Sequence, residues 1–271
     1  MGKQKEVQHM EANKKSLLIT GASSGLGREL AVQAAAAGYQ LLLVARSEDK
    51  LKQIAVELKE RFQTNVTLYM ADLNNPVEWQ LALQQIVREN QRIDVLINNA
   101  GVGYFRLFTD TEPTQIETTM RVNSLAAMEA SAAILPVMLK QGTGHVIMIG
   151  SMAGKVATPK AAVYGASKHS IIGFSNGLRQ EMKPYGVHVT TVNLGPMNTN
   201  FFDTADPSGR YREASARYML QPDKVARKVI SSIGKNKREI NLPSWMGIGS
   251  KMYQLMPGLA ERMLSGQFNK K

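Results

Sequence analysis

The sequence predicts an α/β fold: a doubly wound parallel sheet with helices on both faces, in a single domain with a C-terminal helical extension. Three observations carry this. Short apolar runs alternate with longer segments of helical periodicity. The runs are continuously apolar, as strands buried on both faces must be, rather than alternating in and out. The first run ends in a glycine-rich turn that opens a helix. With 271 residues, 44% of them hydrophobic and 20% charged, the chain has material for a sizeable core. This composition excludes disordered and collagen-like chains, and zero Cys excludes a disulfide scaffold or a thiolate metal site.

Strands are expected at Ser16–Thr20, Leu41–Ala45, Val66–Ala71, Asp94–Ile97, Val146–Ile149 and Val187–Val192. Helices are expected at Leu30–Ala37, closed by Gly38, and at Asp49–Arg61, Val77–Glu89, Gln115–Gln141 and Ala161–Lys183. The main domain spans 15–241, after a polar, flexible extension at 1–14 that lacks the apolar stretch of a signal peptide. After Gly195 the pattern loosens. Residues 197–221 mix Phe201, Phe202, Tyr211 and Tyr218 with Gly, Pro and Arg, and read as a lid over a site. In the extension, 242–271, the residues Trp245, Ile248, Met252, Leu255, Leu259 and Met263 recur at helical spacing, interrupted near Pro257. Such a stripe belongs in a core or subunit interface more often than on a membrane.

The formal charge is +11, and residues 207–271 carry 13 Lys/Arg against 4 Asp/Glu, a net of +9. A basic tail suits an anionic cofactor, an acidic lipid surface or nucleic acid, or is simply a solvated surface. No run of about 18 apolar residues occurs, so no spanning helix is expected. The absence of Cys agrees with a reducing cytoplasm. The four His residues, His9, His145, His169 and His188, lack paired spacing, and no metal site is expected.

Ser16–Thr20 runs into Gly21-Ala22-Ser23-Ser24-Gly25-Leu26-Gly27 and then a helix. Free backbone N–H groups and the helix dipole at such a turn point at an anion. Gly21 permits the tight turn, Gly25 the close approach of a pyrophosphate, and Gly27 tight packing of helix on strand. In a Rossmann-like sheet this implies a dinucleotide. The second strand ends at Val44-Ala45-Arg46-Ser47, with Arg46 where an acid would hold the 2′-hydroxyl of NAD. A guanidinium takes a 2′-phosphate by charge-assisted hydrogen bonds, which points to NADP(H); alternatively Arg46 pairs with Glu48 or Asp49 on the surface.

Tyr164 and Lys168 are four residues apart on a helix and share a face. A phenol of pKa about 10 must be lowered to move protons near neutrality, and a neighbouring ammonium favours the phenolate. A shift of about three units corresponds to roughly 4 kcal/mol. Ser151 follows a strand, at the sheet edge where α/β ligands bind, and its hydroxyl suits a substrate carbonyl oxygen.

These pieces resemble, in order, the short-chain dehydrogenase/reductase family, in its single-domain branch: Thr20–Gly27 (TGASSGLG), Asp72, Asn98-Asn99-Ala100-Gly101, Asn123, Ser151, Tyr164-Gly165-Ala166-Ser167-Lys168, and Gly195-Pro196 with Thr199. They cover about residues 16–200. The resemblance implies catalytic roles. Tyr164 is general acid in reduction and base in oxidation. Lys168 lowers the tyrosine pKa and holds the nicotinamide ribose. Ser151 orients the substrate oxygen, and Asn123 supports a water through which Lys168 relays protons. It also implies cofactor contacts from Gly21, Ser23, Ser24, Gly25, Leu26, Gly27, Asp72 and Leu73 at the adenine, Asn99, Ala100 and Gly101 along the adenosine, and Thr199 at the carboxamide. Asn98 supports the sheet. Arg46, helped by Ser47, matches the family's NADP-preferring pattern. Leu194-Gly195-Pro196 stands where the family usually has Pro-Gly, and Ser24 where some NADP-preferring members have a basic residue.

The expected activity is NADP(H)-dependent hydride transfer with a small carbonyl or alcohol substrate, apolar in view of Met197, Phe201, Phe202 and Tyr218. Alternatives are a catalytically silent NADPH-binding sensor or scaffold, and a reductase held peripherally at a membrane by its basic tail. The resemblance further implies a homodimer or homotetramer, with nucleic acid not expected as a partner.

Overall fold

The computed structural model describes residues 14–268, of which 263–268 are described by backbone alone. The proposed extension at 1–14 therefore lies almost wholly outside the described residues, as does the side chain of Met263. Seven strands form one all-parallel sheet: β1 (Ser16–Thr20), β2 (Gln40–Ala45), β3 (Val66–Met70), β4 (Val95–Asn98), β5 (Gly144–Ser151), β6 (Val187–Leu194) and β7 (Glu239–Leu242). Their order is β3-β2-β1-β4-β5-β6-β7. Leu17, Leu18 and Ile19 of β1 stand opposite Val95, Leu96 and Ile97 of β4 at the centre.

Helices cover both faces. Leu17 and Ile19 pack with α1 (Gly25–Ala36), α2 (Glu48–Phe62) and α9 (Pro222–Ile230) in one core. Leu18, pointing the other way, packs with α3 (Pro76–Glu89), α5 (Ala126–Gln141) and α6 (Ala162–Met182) in a second. The largest buried side chain, Trp79 of α3, donates its indole N–H to the Ala126 carbonyl at 3.1 Å, so that even this core ring leaves no polar atom unpaired. Between the two cores the strands are apolar on both faces, as the sequence pattern requires.

Several elements depart from the sequence reading. The expected helix at Gln115–Gln141 is α4 (Pro113–Met120), a π-helical turn at Arg121–Leu125, and α5. Together, Pro113–Gln141 is long and apolar enough to cross a bilayer by length and composition, yet its apolar side chains Ala126, Ala130, Ile134 and Met138 are buried against the sheet. The first helix starts at Gly25 rather than Leu30, because its hydrogen bonding already begins with the Arg28 N–H on the Ser24 carbonyl, inside the glycine-rich segment. Ser151 is the last residue of β5 rather than following it. The strand β7 and the helix α9 were not anticipated: β7 is too short for a clear run, and α9 is rich in Lys and Arg.

Residues 197–221 are not a structureless connection. They contain α7 (Phe201–Ala205), α8 (Arg210–Ser215) and a bridge from Met197 to Leu220. The carboxylate of Asp206 accepts the backbone N–H of Tyr211 at 2.8 Å and of Arg212 at 3.2 Å, fixing the start of α8. The extension forms α10 (Ser244–Leu255) and α11 (Pro257–Phe268), broken at the proline as its pattern suggested. Its stripe is not core, however: Trp245, Ile248, Met252, Leu255 and Leu259 are all exposed. The face of α10 turned to the sheet is built instead from small residues, Gly247 and Ser250. A Cβ on Gly247 would lie 2.7 Å from Cβ of Asn241.

His145, near the start of β5, is buried away from the carboxyl edge. Its Nδ1 accepts the Gly234 N–H at 3.1 Å, so Nε2 carries the proton and donates to Thr190 Oγ1 at 2.9 Å. Burial, with His188 beside it, lowers its pKa to about 4. Between about pH 6.5 and 4 the unfolded chain therefore binds a proton that the folded chain refuses, and stability falls with falling pH by up to about 1.4 kcal/mol per unit. Urea midpoints at pH 7 and pH 5 will separate further in the wild type than in His145→Gln, which cannot titrate; equal separations would contradict this.

Candidate active site

Strands order outward in both directions from the β1–β4 pair, so the crossovers leave from opposite sides and open a crevice at the carboxyl ends. A cleft of about 1180 Å³ occupies it. Gly21, Ser23, Ser24, Gly25, Leu26, Gly27, Arg46, Ser47, Asp72, Leu73, Asn99, Ala100, Gly101 and Thr199 all line this cleft, with Ser151, Tyr164 and Lys168. Asn123 does not. It sits behind the wall, in a void of about 10 Å³ shared with Thr20 and Asn98.

The glycine turn has the geometry of an anion cradle. Gly21 has φ +68°, a left-handed conformation, and a Cβ there would lie 2.8 Å from Cα of Ala100. At Gly27 a Cβ would lie 2.0 Å from the Gly21 carbonyl oxygen, so only glycine lets α1 reach β1. Ser24 occupies the N-cap of α1 without a side-chain cap bond, and Gly25 to Gly27 face the cleft. Asn99 supports the turn from β4: its Nδ2 donates to the carbonyls of Thr20 at 2.9 Å and Gly21 at 3.2 Å. Thr20 Oγ1 accepts the backbone N–H of Asn99 and Ala100 in return.

At the other end of the cradle, Arg46 is exposed and stands 3.9 Å from the Asp72 carboxylate. It does not pair with Glu48, which bonds Lys52 at 2.7 Å. Ser47 precedes α2 without a side-chain cap bond. Asp72 is held by the Asn74 N–H on its Oδ1 at 3.0 Å and by its own N–H on Glu78. Asn98 turns inward, with Nδ2 near Ser131 Oγ and Met148 Sδ at 3.3 Å each, consistent with support of the sheet.

The end near β5 brings Ser151, Tyr164 and Lys168 together. Ser151 Oγ accepts the Ala153 N–H at 3.1 Å and donates to the Leu194 carbonyl at 3.3 Å. Lys168 is buried, and its Nζ donates to the Ile149 carbonyl at 3.0 Å, 5.9 Å from the Tyr164 ring centroid. The π turn carries Asn123 in. Its Oδ1 accepts Val102 N–H at 2.7 Å, while Nδ2 donates to the Val102 carbonyl and to Ser167 Oγ. A point beside Gly101 lies 3.3 Å from Asn123 Oδ1 and 3.4 Å from Lys168 Nζ, so the two groups face one spot. Thr199 approaches Gly25 across the cleft, where a Cβ would lie 3.3 Å from its own Cβ.

Electrostatics here depart from the sequence expectation. Part of the Tyr164 ring stays open to the cleft, but burial pushes the phenol up to about 12, against the lowering effect of its bond to Ser151. Burial likewise brings Lys168 down to about 8. Desolvation of both charged forms outweighs their attraction in the protein alone, and Lys168 by itself does not lower the tyrosine.

Beyond Tyr164 lies an aromatic wall. Phe105 meets Tyr164 at 5.7 Å, Tyr211 at 5.2 Å and Phe202 at 6.1 Å between centroids, and Phe201 meets Tyr164 at 5.6 Å. Gly103 leaves room for it: a Cβ there would lie 2.8 Å from Phe201. The Phe105 N–H donates to the Ala205 carbonyl at 2.7 Å, tying the loop after β4 to α7.

The family model for short chain dehydrogenases matches residues 15–208. The chain belongs to this family. "Dehydrogenase/reductase SDR family member 7B" of Xenopus laevis is 35% identical over 233 residues, covering 83% of this chain and 72% of that protein. Among solved structures, a short-chain dehydrogenase from Sphingobium yanoikuyae in complex with NADPH is 28% identical, with TM-score 0.78, covering 90% of this chain and 96% of that one. A short chain dehydrogenase/reductase from Burkholderia phymatum in complex with NAD, at 20% identity, shares the fold with TM-score 0.82 over 91% of this chain and 95% of that one.

Sequence reasoning missed parts of this short-chain dehydrogenase's site. Lys50, in the first turn of α2, also lines the nucleotide end. Phe105 and Gly103 sit in a loop without periodicity, and Trp245 to Leu259 form a rim that its stripe alone could not place. The place of Lys50 at the start of the helix that follows Arg46 is a usable signal for it; no signal marks Phe105.

The cradle is tested at Gly27. Gly27→Ala drives a methyl into the Gly21 carbonyl, which cannot move without the turn. Calorimetric titration with NADPH should show affinity at least about tenfold weaker, and unfolding about 1–3 kcal/mol earlier. Unchanged affinity would dismiss the packing of Gly27 on Gly21 as what shapes the cradle.

Proposed function

We propose that this oxidoreductase interconverts a carbonyl and an alcohol using NADP(H), with Tyr164 as its general acid and base. The observation that carries the reading is the convergence of Ser151, Tyr164 and buried Lys168 on one side of a dinucleotide-sized cleft. A silent sensor has no use for such a cluster.

The cradle residues fit a nicotinamide dinucleotide, because the first turn of α1, with Ser24 at its N-cap making no side-chain cap bond, opens its backbone to a cleft of dinucleotide size. The turn from Gly21 to Gly27 would hold the pyrophosphate, Asp72 and Leu73 the adenine, Asn99 to Gly101 the adenosine, and Thr199 the carboxamide. A bound nicotinamide supplies or accepts the hydride. In reduction, the Ser151 hydroxyl donates to the carbonyl oxygen and orients it, and Tyr164 gives its proton to that oxygen as negative charge develops. A phenol of raised pKa is held protonated, ready as the acid. In oxidation Tyr164 takes the alcohol proton, and the Lys168 ammonium with a positively charged ring stabilises the phenolate that forms. Lys168 would also hold the nicotinamide ribose. Asn123, fixed to Val102 and Ser167, would hold a water within reach of Lys168 for proton exchange.

Preference for NADP(H) is supported by Arg46 and Lys50 at the end of the cleft that would receive a 2′-phosphate, with Ser47 between them. Asp72, the one acid among the described residues lining the cleft, is already approached by Arg46.

Two outcomes follow. Tyr164→Phe lowers kcat by about 10²- to 10⁴-fold with NADPH affinity retained; undiminished turnover in stopped-flow assays would remove Tyr164 from the mechanism. Arg46→Ala raises KM for NADPH about tenfold while leaving NADH unchanged; a parallel loss with both cofactors would show that Arg46 does not read the phosphate.

A further inference from the structure

Charge is segregated along the cleft. Among its described lining residues the formally charged ones are Arg46, Lys50, Asp72 and Lys168. The first three sit at the nucleotide end, and Lys168 lies beneath Tyr164, bonded to Ile149. From Tyr164 outward the lining carries no formal charge. It passes from the ring edges of Phe105 and Phe201 to Met252 and Leu255 on α10 and Leu259 on α11. A carboxylate or phosphate drawn into this half would lose its hydration without gaining a counter-ion.

The rim has a second property. Trp245, Met252, Leu255 and Leu259 line the cleft and are also exposed, Leu255 by 82%. Contiguous exposed apolar side chains of this kind mark a binding surface. It is continuous with the site, while the opposite face of α10 is already seated through Gly247 and Ser250. What covers it must therefore be able to reach Tyr164 at one end and lie on α10 and α11 at the other.

We infer that the substrate is an uncharged, extended apolar aldehyde, ketone or the corresponding alcohol. Its oxygen meets Ser151 and Tyr164, and its chain passes the aromatic wall to lie on Met252, Leu255 and Leu259. This rests on the carbonyl–alcohol reading above and names the substrate class for the same site.

The test is a series of straight-chain aldehydes and methyl ketones from four to twelve carbons, with NADPH in excess, beside ω-carboxylate counterparts. kcat/KM rises about three- to fourfold per methylene, the factor for burying each CH₂, and then levels. The ω-carboxylates fall about 100-fold below their neutral partners. Leu255→Ser with Met252→Ser reduces the gain per methylene at the long end of the series. Turnover that is flat with chain length, or indifferent to the carboxylate, overturns the substrate class while leaving the oxidoreductase reading standing. If no member turns over, that reading fails, and the class is judged on Trp245 fluorescence of the NADPH-bound protein: affinity rising with chain length supports it, and flat affinity overturns it. An unchanged gain in the double variant, with lost self-association in sedimentation or lost flotation with phosphatidylglycerol vesicles, gives the face to a second copy or a lipid surface and overturns the assignment.

Discussion

Parallel strands side by side cannot be joined by tight turns, and this constraint shapes the molecule. Each strand must return through a crossover, and with β1 and β4 paired at the centre those crossovers diverge to opposite faces. Two apolar cores result, one under α1, α2 and α9 and one under α3, α5 and α6. Where the crossovers part, the carboxyl ends of the strands are left uncovered. The cleft is the gap this topology cannot close, which is why Thr20, Asn99 and Ser151, from three different strand ends, meet there.

Within that gap the balance between burial and charge sets the chemistry. A phenol pushed up to about 12 and an ammonium brought down to about 8 are held in one dry corner. Desolvation disfavours the charged form of each, so Tyr164 is held as the protonated phenol until further positive charge arrives. The hydrogen bonds around it involve backbone carbonyls and fixed amides, notably Ile149 to Lys168 and Val102 to Asn123. Such partners hold direction without adding charge.

Much of this was legible in the sequence because it depends on backbone chemistry. Glycines at 21, 25 and 27, a small-residue helix behind them and continuous apolar strands leave few alternatives, and the spacing of Tyr164 and Lys168 sets them on one helical face. The lesser features depend on distance across the fold. The π turn at Arg121–Leu125 arises inside a segment whose apolar periodicity reads as one helix, and Phe105 joins the wall only because Gly103 and the Ala205 carbonyl admit its loop. The stripe on α10 is as regular as a core stripe, and its exposure is decided by Gly247 and Ser250 having taken the inner face. The direction of the tyrosine shift also escaped the sequence, since spacing reports neighbours but not the water they have lost.

The seating of α10 divides labour along the chain. The glycine turn and the Ser151, Tyr164 and Lys168 cluster all fall before residue 200, whereas the rim is made of the helices α10 and α11, resting on β7 and on the Gly195 turn through a few small contacts. No strand pairing and no part of the cradle depends on the outward side chains of those helices. On the proposed reading, selection of a guest and transformation of it are nearly separate inheritances in this molecule: the two terminal helices can drift, lengthen or be exchanged without touching the residues assigned to the chemistry.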